Sequence, residues 1–197
     1  MFRYSATMTP DATSPLEPWI RESTRTLAQT RIFTLENQHW RCPSDPTRSG
    51  DFAVLDSPDW VNVFAITPDD KVILVEQFRF GVGILSLEIP GGIVDPNENP
   101  AATATRELRE ETGYVGDDPV FIGALSANAA ILNNLVHSFV IENARLESPQ
   151  DLDEHEQIRV LTRPLADMPE LIRNGTIHHS VIVAAYAFFQ MWEQENR

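Results

Sequence analysis

GGIVDPNENPAATATRELREETGY, residues 91–114, places a glycine pair and a polar turn directly ahead of a strongly helical run. Asn99 suits the N-cap position and Pro100 the first helical position. Gly113 can take the left-handed conformation that ends a helix. The spacing therefore predicts a helix over residues 100–112.

Three carboxylates lie on one face of this predicted helix, because residues three and four apart share a face: Glu107, Glu110 and Glu111. Their mutual repulsion is relieved when a cation lies among them, and an oxygen-only donor set favours Mg²⁺, with Mn²⁺ as the alternative. Glu98 and Arg106 can pair and tie the preceding loop to the helix. The competing interpretation is a solvated acidic helix face, which is common on surfaces.

Gly91 and Gly92 follow a predicted strand, at Leu85 to Ile89. Without side chains, they let the backbone approach a ligand or an ion closely, and Gly91 can supply a carbonyl. Magnesium bound by one or two carboxylates together with substrate phosphates is the usual arrangement in phosphate chemistry. The segment therefore indicates hydrolysis at phosphorus.

Composition limits the partners. The 197 residues, 42% of them hydrophobic, are enough for one principal core. Fifteen basic against twenty-nine acidic residues give a charge of −14, which disfavours long nucleic acid and anionic membranes. Cys42 is the only cysteine, the N-terminus lacks a secretory pattern, and the apolar run at residues 181–189 is too short to span a bilayer. We expect a cytoplasmic protein.

Strand patterns recur along the chain. The predicted strands, besides residues 85–89, cover residues 31–36, 51–55, 60–66, 71–78, 121–125, 135–141 and 157–161. The turn TPDD, residues 67–70, predicts a hairpin between the strands at residues 60–66 and 71–78. Further helices are predicted over residues 165–175 and 180–195, the last with Phe188, Phe189 and Trp192 packing on the sheet. This order indicates an α/β (α+β) domain over residues 59–197, preceded by a small β-rich extension, residues 1–58.

The whole layout resembles the Nudix box. In this chain Gly92 is followed by five residues, Glu98, seven residues and then Arg106-Glu107-Leu108-Arg109-Glu110-Glu111-Thr112-Gly113-Tyr114. Only Tyr114 departs, being aromatic where an aliphatic residue is usual. The resemblance implies an α/β/α sandwich around a mixed β-sheet, and an enzyme that hydrolyses nucleoside diphosphates linked to a further moiety.

Carried onto this chain, the resemblance makes Glu107 and Glu111 the main metal ligands. Glu110 would share a further ion, and the Gly91 carbonyl would complete the shell beside the substrate-facing Gly92. Glu98 and Arg106 would support the loop and the helix. The other implied partner is a small-molecule nucleoside diphosphate substrate.

Outside the box, residues 60–92 resemble ADP-ribose and nucleotide-sugar pyrophosphatases, in which the arginine of a Gln-aromatic-Arg motif faces the substrate's phosphates. Here that residue is Arg79, for which a simple pair with a surface carboxylate is the alternative. A late-loop glutamate often acts as the general base in this subgroup, which makes Glu156 the first candidate and Glu154 the second, with His155 weaker. The alternative there is a solvated acidic turn.

The sequence indicates the identity of the substrate less clearly than it indicates the reaction. The subgroup often carries a proline where this chain has Ala129 and Ala130, which weakens the assignment to ADP-ribose but not to hydrolysis. At most one of Trp19, Trp40 and Trp60 is expected to stack on a base. His178 and His179 are adjacent, so they point apart and are not expected to share a metal.

We therefore expect Mg²⁺-dependent hydrolysis of ADP-ribose or a nucleotide sugar to two monophosphates. The alternatives are a Nudix hydrolase for another diphosphate, such as a dinucleotide, coenzyme or oxidised nucleotide, and a non-catalytic nucleotide-sensing module. The extension matches a layout that related pyrophosphatases use to form two-fold dimers, so we expect a homodimer.

Overall fold

The computed structural model describes residues 16–196 of the chain. The start of the chain up to residue 15, where the sequence shows no secretory pattern, lies outside the described residues. Two units are present, one up to Asp56 and one from Ser57 onward, and each is described by itself. The boundary predicted at residue 58 falls in the connection between the last strand of the first unit and the first strand of the second.

The first unit is an antiparallel sheet in which β2 lies between β1 and β3. Its strands are β1 (Ile20–Gln29), β2 (Thr34–Arg41) and β3 (Ser49–Asp56). The prediction of strands at residues 31–36 and 51–55 missed β1 and began β2 too early. β1 reads IRESTRTLAQ and is exposed along its whole length, so it lacks the buried apolar alternation that marks a strand in sequence.

The second unit contains eight strands and three α-helices among the described residues. The strands are β4 (Trp60–Ala65), β5 (Lys71–Arg79), β6 (Ile84–Glu88), β7 (Tyr114–Val115), β8 (Val120–Ser126), β9 (Leu135–Ile141), β10 (Arg145–Leu146) and β11 (Ile158–Pro164). The helices are α1 (Pro100–Thr112), α2 (Met168–Arg173) and α3 (Ser180–Asn196), with a 3₁₀ turn at Leu165–Asp167 before α2. The sequence patterns predicted the six longer strands and the helices to within a few residues, and missed the two-residue strands β7 and β10.

These elements form a sandwich with helices on both sides of mixed β-structure. The orders are β11-β5-β6 and β4-β9-β8, and only the β4–β9 pair is parallel. β4 also runs beside the segment after β6, because the Val61 N–H donates to the Gly92 carbonyl at 2.9 Å and the Val63 N–H to the Pro90 carbonyl at 2.8 Å. This contact holds the glycine pair against a strand that is buried from Val61 to Ala65.

The side chains of β4 point alternately to its two faces and so enter two separate hydrophobic clusters. Val61 and Val63 belong to the cluster that contains Ala104 and Leu108 of α1. Phe64 belongs to the opposite cluster, with Ile182, Ala185 and Phe189 of α3, and its ring stacks on Phe189 with centroids 4.3 Å apart. Tyr114 packs against the α1 side of the core. Burial on both faces explains why these strands are almost continuously apolar.

The predicted hairpin between β4 and β5 is wrong. The turn itself is present, with the Asp70 N–H donating to the Thr67 carbonyl at 3.1 Å and Asp70 at φ 54°. Beyond it, a single bridge joins Ile66 to Val72, after which β4 pairs with β9 and β5 with β6 and β11. The turn residues determine where the chain reverses. The two strands then pair with strands far along the chain, which bury them better than a β4–β5 hairpin would.

Helix α1 begins and ends as its sequence predicts. The Asn99 side chain accepts a hydrogen bond from the Ala101 N–H at 3.0 Å, and Gly113 ends the helix at φ 74°. The Gly113 carbonyl then accepts the N–H groups of Glu147 and Ser148, at 3.0 and 3.2 Å. The helix end is thus tied to the segment that leads to β11. Within residues 16–196, no helix has the length and apolar character needed to cross a membrane.

Replacing Gly113 by alanine should lower the free energy of unfolding by at least about 2 kcal/mol, through a left-handed φ and overpacking. A Cβ there would lie 1.9 Å from the Ser148 carbonyl oxygen. Gly175 is the matched control, because it has φ 79° but nothing within 4 Å of its Cβ position. Gly175→Ala should cost only about 1 kcal/mol. Urea unfolding followed by circular dichroism measures both, and equal losses would contradict the proposed constraint at Ser148.

Candidate active site

The three glutamates of α1 lie at the edge between the buried and exposed sides of the helix. Glu111 is 3% exposed, and the side chains of Glu107 and Glu110 are 13% and 40% exposed. Leu108, between them in sequence, is in the core beneath. The apolar face therefore fixes the helix on the sheet, and the same rotation brings the carboxylates to one side.

The glycine pair contacts two of these acids directly. The Gly91 N–H donates to Glu111 Oε2 at 3.0 Å. A Cβ at Gly92 would lie 2.3 Å from Glu107 Oε1, so only glycine leaves room for that carboxylate. The recorded contact of Gly91 with the acids is through its N–H, and the role of its carbonyl stays a prediction.

Arg106 joins the loop to the helix. Its Nε and Nη2 groups donate to the two oxygens of Glu98 at 3.1 and 2.9 Å, and Nη1 donates to Glu107 and Glu110, both at 2.9 Å. Hydrogen bonds from Arg106, assisted by Thr103, lower the pKa of Glu98 to about 2. Glu98 therefore stays charged and fixes the orientation of the guanidinium.

Glu107 and Glu111, the two inner acids of the site, differ from Glu98 because their pKa values are raised. Burial raises the pKa of Glu107 to about 7, with the charges of Glu110 and Glu156 adding to the effect and Arg106 opposing it. Burial likewise raises the pKa of Glu111 to about 8, and the charges of Glu107 and Glu156 raise it further against the Gly91 N–H. A carboxylate in such a place is stabilised by any cation that can reach it.

The donor chemistry of this set suits a hard divalent ion, because it consists of carboxylate and backbone oxygens. Among residues 16–196, however, no three histidine, cysteine, aspartate or glutamate side chains converge on one point as a ligand set. The reason is visible in the contacts: Arg106 holds Glu107 and Glu110, whereas the Gly91 N–H holds Glu111. The residues fit an ion by donor type, but their side chains are arranged around protein partners.

Arg79 lies close to the same acids. The charges of Glu111 and Glu156 help to raise its pKa, after the hydrogen bonds and charge of Glu88. The guanidinium forms a two-point contact with Glu88, Nε to Oε1 at 2.8 Å and Nη2 to Oε2 at 2.7 Å. The alternative of a pair with a surface carboxylate does not describe this contact, since Glu88 is 1% exposed.

Glu156 is brought to the site by the loop before β11. The Gln150 side chain donates to the carbonyls of Glu111 and Ile158, at 2.5 and 3.2 Å, and the Asp151 N–H donates to the Glu110 carbonyl at 2.9 Å. The loop is therefore fastened to the end of α1. Glu154 and Glu156 are both exposed, but the charge of Glu156 helps to raise the pKa of both Glu107 and Glu111.

A groove of about 720 Å³ lies behind the C-terminal end of α1, lined by Thr112, Tyr114, Leu146, Val160 and their neighbours. None of Glu107, Glu110 and Glu111 lines it. Its walls are largely uncharged, so it lacks the cationic groups or clustered carboxylates that phosphate chemistry requires. The carboxylates of α1 are therefore the better candidate for a site of phosphate chemistry.

The tryptophans are mostly engaged in packing. Trp19 packs edge-on against Phe52 with centroids 6.0 Å apart, and Trp40 lies under the Arg21 guanidinium. Trp60 is partly buried on the α3 side of the core. Stacking of any of them on a base stays a prediction.

Glu88 and its second partner were missed by sequence reasoning. The His179 Nδ1 atom lies 3.3 Å from Glu88 Oε2, at the start of α3. The available signal was a glutamate inside the apolar run ILSLEIP, residues 84–90, because a charge at a buried position requires a partner.

Known proteins share this framework. A family model described as NUDIX domain matches residues 57–186. The ADP-ribose pyrophosphatase of Bacillus subtilis (strain 168) is 33% identical over 141 residues, or 71% of this chain and 76% of that protein. The methanol dehydrogenase activator of Bacillus methanolicus is 28% identical over 164 residues, or 83% of this chain and 88% of that protein.

A crystal structure of an ADP compounds hydrolase has the same fold, with a TM-score of 0.81 over 94% of this chain and 100% of that chain, at 24% identity. The α/β/α sandwich expected from the sequence is therefore confirmed. Taken with the family match over residues 57–186, the chain belongs to the Nudix family of phosphoric-anhydride hydrolases, in its ADP-ribose pyrophosphatase-like subgroup.

Proposed function

We propose that the chain hydrolyses the pyrophosphate bond of ADP-ribose or a nucleotide sugar, in a Mg²⁺-dependent reaction that gives two monophosphates in the cytoplasm. The observation that carries the proposal is the pair of buried carboxyls, Glu107 and Glu111, held against the glycine pair with raised pKa values. Acids in that state are stabilised by a divalent cation. The name of the Bacillus subtilis relative favours ADP-ribose among the substrates.

The proposed ligand set for Mg²⁺, or Mn²⁺ in its place, is Glu107, Glu110, Glu111 and the Gly91 carbonyl. A bound ion supplies charge neutralisation on phosphate oxygens and a more acidic water. Because Arg106 donates to Glu107 and Glu110 from one side, it limits how far these side chains turn. Glu98 keeps Arg106 in that place through two further hydrogen bonds.

The substrate side of the site is assigned to Arg79 and Gly92. Arg79 would donate to the diphosphate, since its side chain is 42% exposed beside Glu111 and Glu156. Gly92 would leave the floor of the site open, because it has no side chain in front of Glu107. Water then attacks one phosphorus, the bond from that phosphorus to the bridging oxygen breaks, and the water proton passes to a nearby base.

We assign the base to Glu156 because its charge acts on both inner acids. Its backbone is held by a turn in which the Glu156 N–H donates to the Asp153 carbonyl at 3.0 Å. The Glu156 side chain accepts the Asp153 N–H at 3.1 Å, so it is oriented before substrate arrives. Glu154 has no comparable link to the acids of α1 in these contacts.

A substrate panel tests the function. Purified protein with Mg²⁺ is incubated with ADP-ribose, nucleotide sugars, dinucleotides, coenzyme diphosphates and oxidised nucleotides, and phosphate-containing products are separated by chromatography. We expect ADP-ribose or a nucleotide sugar to be turned over fastest, with two monophosphates as products.

Glu111→Gln should lower turnover at least about a hundredfold, because a charged oxygen ligand for the proposed metal ion is lost. The amide has the same size and can still accept the Gly91 N–H, so folding should survive.

Glu170→Gln, on α2, is the control for a helical glutamate exchange, because Glu170 pairs only at the surface with Arg173. Turnover of Glu111→Gln equal to that of this control would contradict the site. Preferred turnover of a dinucleotide, coenzyme or oxidised nucleotide would keep the enzyme class and replace the proposed substrate. Binding without turnover of any panel member would favour the nucleotide-sensing alternative.

Glu156→Gln and Glu154→Gln form a matched pair two residues apart. The first should lower kcat by about a hundredfold or more, as expected for loss of a general base. The second should change kcat less than about twofold, since Glu156, and not Glu154, is among the charges that raise the pKa of Glu107 and Glu111. Initial rates on the best panel substrate measure both. Equal effects, or a larger effect of Glu154→Gln, would remove Glu156 from the proposed role.

We also propose that the protein is a homodimer. All ten residues of β1 are exposed, and the apolar side chains of Ile20, Leu27 and Phe52 in the N-terminal unit are about half exposed. An exposed strand with apolar side chains is a surface that association can cover. Light scattering should give twice the chain mass of 22.2 kDa, and Leu27→Glu should shift it towards the monomer. A mass of one chain at all concentrations would contradict the proposal.

A further inference from the structure

Glu88 is a charged residue at a position that otherwise suits an apolar one. It ends β6 next to Ile89 of the core, and it pairs across the ladder with Val75 of β5. Its side chain is only 2% exposed. A carboxylate is taken out of water at this position only when hydrogen bonds and opposite charge compensate its desolvation.

The largest part of the compensation comes from Arg79. The two carboxylate oxygens of Glu88 accept one hydrogen bond each from Nε and Nη2, at 2.8 and 2.7 Å. A two-point contact fixes the plane of a guanidinium as well as its position. His179 adds a third contact, with Nδ1 3.3 Å from Oε2. Burial disfavours the charged carboxyl, yet these hydrogen bonds hold the pKa of Glu88 well below its usual value.

Other acids also act electrostatically on Arg79. The charges of Glu111 and Glu156 act on its pKa, although the hydrogen bonds of its fork are made to Glu88. A long, partly exposed arginine side chain without the Glu88 contact would be drawn onto those acids, which belong to the proposed metal and base set. Because Nε and Nη2 donate to Glu88, the opposite edge of the guanidinium, which carries Nη1, remains for a ligand.

We propose that Glu88 is a positioning residue for the reaction: its buried carboxylate holds the Arg79 guanidinium by two points, so that the remaining edge meets the substrate's diphosphate and stays off Glu111 and Glu156. This inference rests on the proposed function, in which Arg79 contacts phosphate. Glu88 itself touches neither substrate nor ion. Its effect reaches the reaction only through Arg79.

A purely structural ion pair would behave differently from a positioning pair. Loss of a structural pair lowers stability and leaves the kinetics of the folded fraction unchanged. Loss of a positioning pair weakens substrate binding, and the weakening disappears when Arg79 is already absent. A double-mutant cycle over Arg79 and Glu88 separates the two.

The kinetic experiment uses ADP-ribose with Mg²⁺ and four proteins: the natural chain, Glu88→Gln, Arg79→Ala and the double variant. We expect Glu88→Gln to raise KM at least about tenfold with kcat changed less than about threefold, since a hydrogen bond to a charged group is redirected. The double variant should have the same KM as Arg79→Ala. An unchanged KM in Glu88→Gln, or effects that multiply in the double variant, would overturn the inference.

Glu76→Gln is the matched control. Glu76 lies on β5, directly opposite Arg159 of β11, and like Glu88 it pairs with an arginine, but at the surface. It should leave KM unchanged. If Glu88→Gln does not fold, Glu88→Asp replaces it, because the shorter side chain keeps the charge and draws the guanidinium back. A normal KM in a folded Glu88→Asp protein would also overturn the inference.

A second measurement needs no substrate. The Arg79 Nε–H donates to a buried oxygen, so its proton resonance should exchange slowly with water, and Arg79→Lys assigns it by its disappearance. Glu88→Gln should accelerate that exchange and shift the resonance, whereas Glu76→Gln should not. An unaltered resonance in Glu88→Gln contradicts the positioning role whatever the kinetics. If the natural chain hydrolyses no panel substrate while the resonance changes as expected, the proposed function is wrong and the pairing of Glu88 with Arg79 stands.

Discussion

The burial of two glutamates against a backbone turn is the constraint on which the site depends. Glu107 and Glu111 are drawn inward because α1 places Leu108 and Ala104 on the sheet, and the carboxylates follow the rotation of the helix. Removing a carboxylate from water costs several kcal/mol unless it gains partners or a proton. One N–H from Gly91 and one arm of Arg106 offset only part of that cost, as the raised pKa values show. The site is therefore a buried acid pair whose proposed partner is a divalent cation.

The sheet explains why these buried acids and the glycine pair are held in place. β4 is buried on both faces, with α1 on one side and α3 on the other, so the strand cannot shift without disturbing both clusters. The register of β4 against the glycine segment is also fixed, because the Val61 and Val63 N–H groups donate to the carbonyls of Gly92 and Pro90. The glycine pair is thereby fixed to a strand that is buried on both faces. A flexible loop in its place would let the acids turn towards solvent.

The sequence identified the parts of this site that lie close together along the chain. The spacing from Gly92 to Gly113 predicted a helix, its two ends and a shared face of carboxylates, because each depends on local geometry. Relations between distant segments were harder. Glu88 was missed because its partners come from the far end of β5 and the start of α3, and the β4–β5 hairpin was wrong because pairing with β9 and β11 wins after one bridge. β1 was missed because it has no buried face.

The charges around the site explain why the arginines need acids of their own. Glu98 orients Arg106 and Glu88 orients Arg79, and in each pair the carboxyl has a lowered pKa and stays charged. These two acids therefore neutralise most of the positive charge that the site contains. A diphosphate entering next to the remaining acids, in a chain with a net charge of −14, would meet repulsion rather than attraction. Under the proposed function, Arg79 would orient the substrate, whereas the substrate's charge would have to be balanced by bound metal cations.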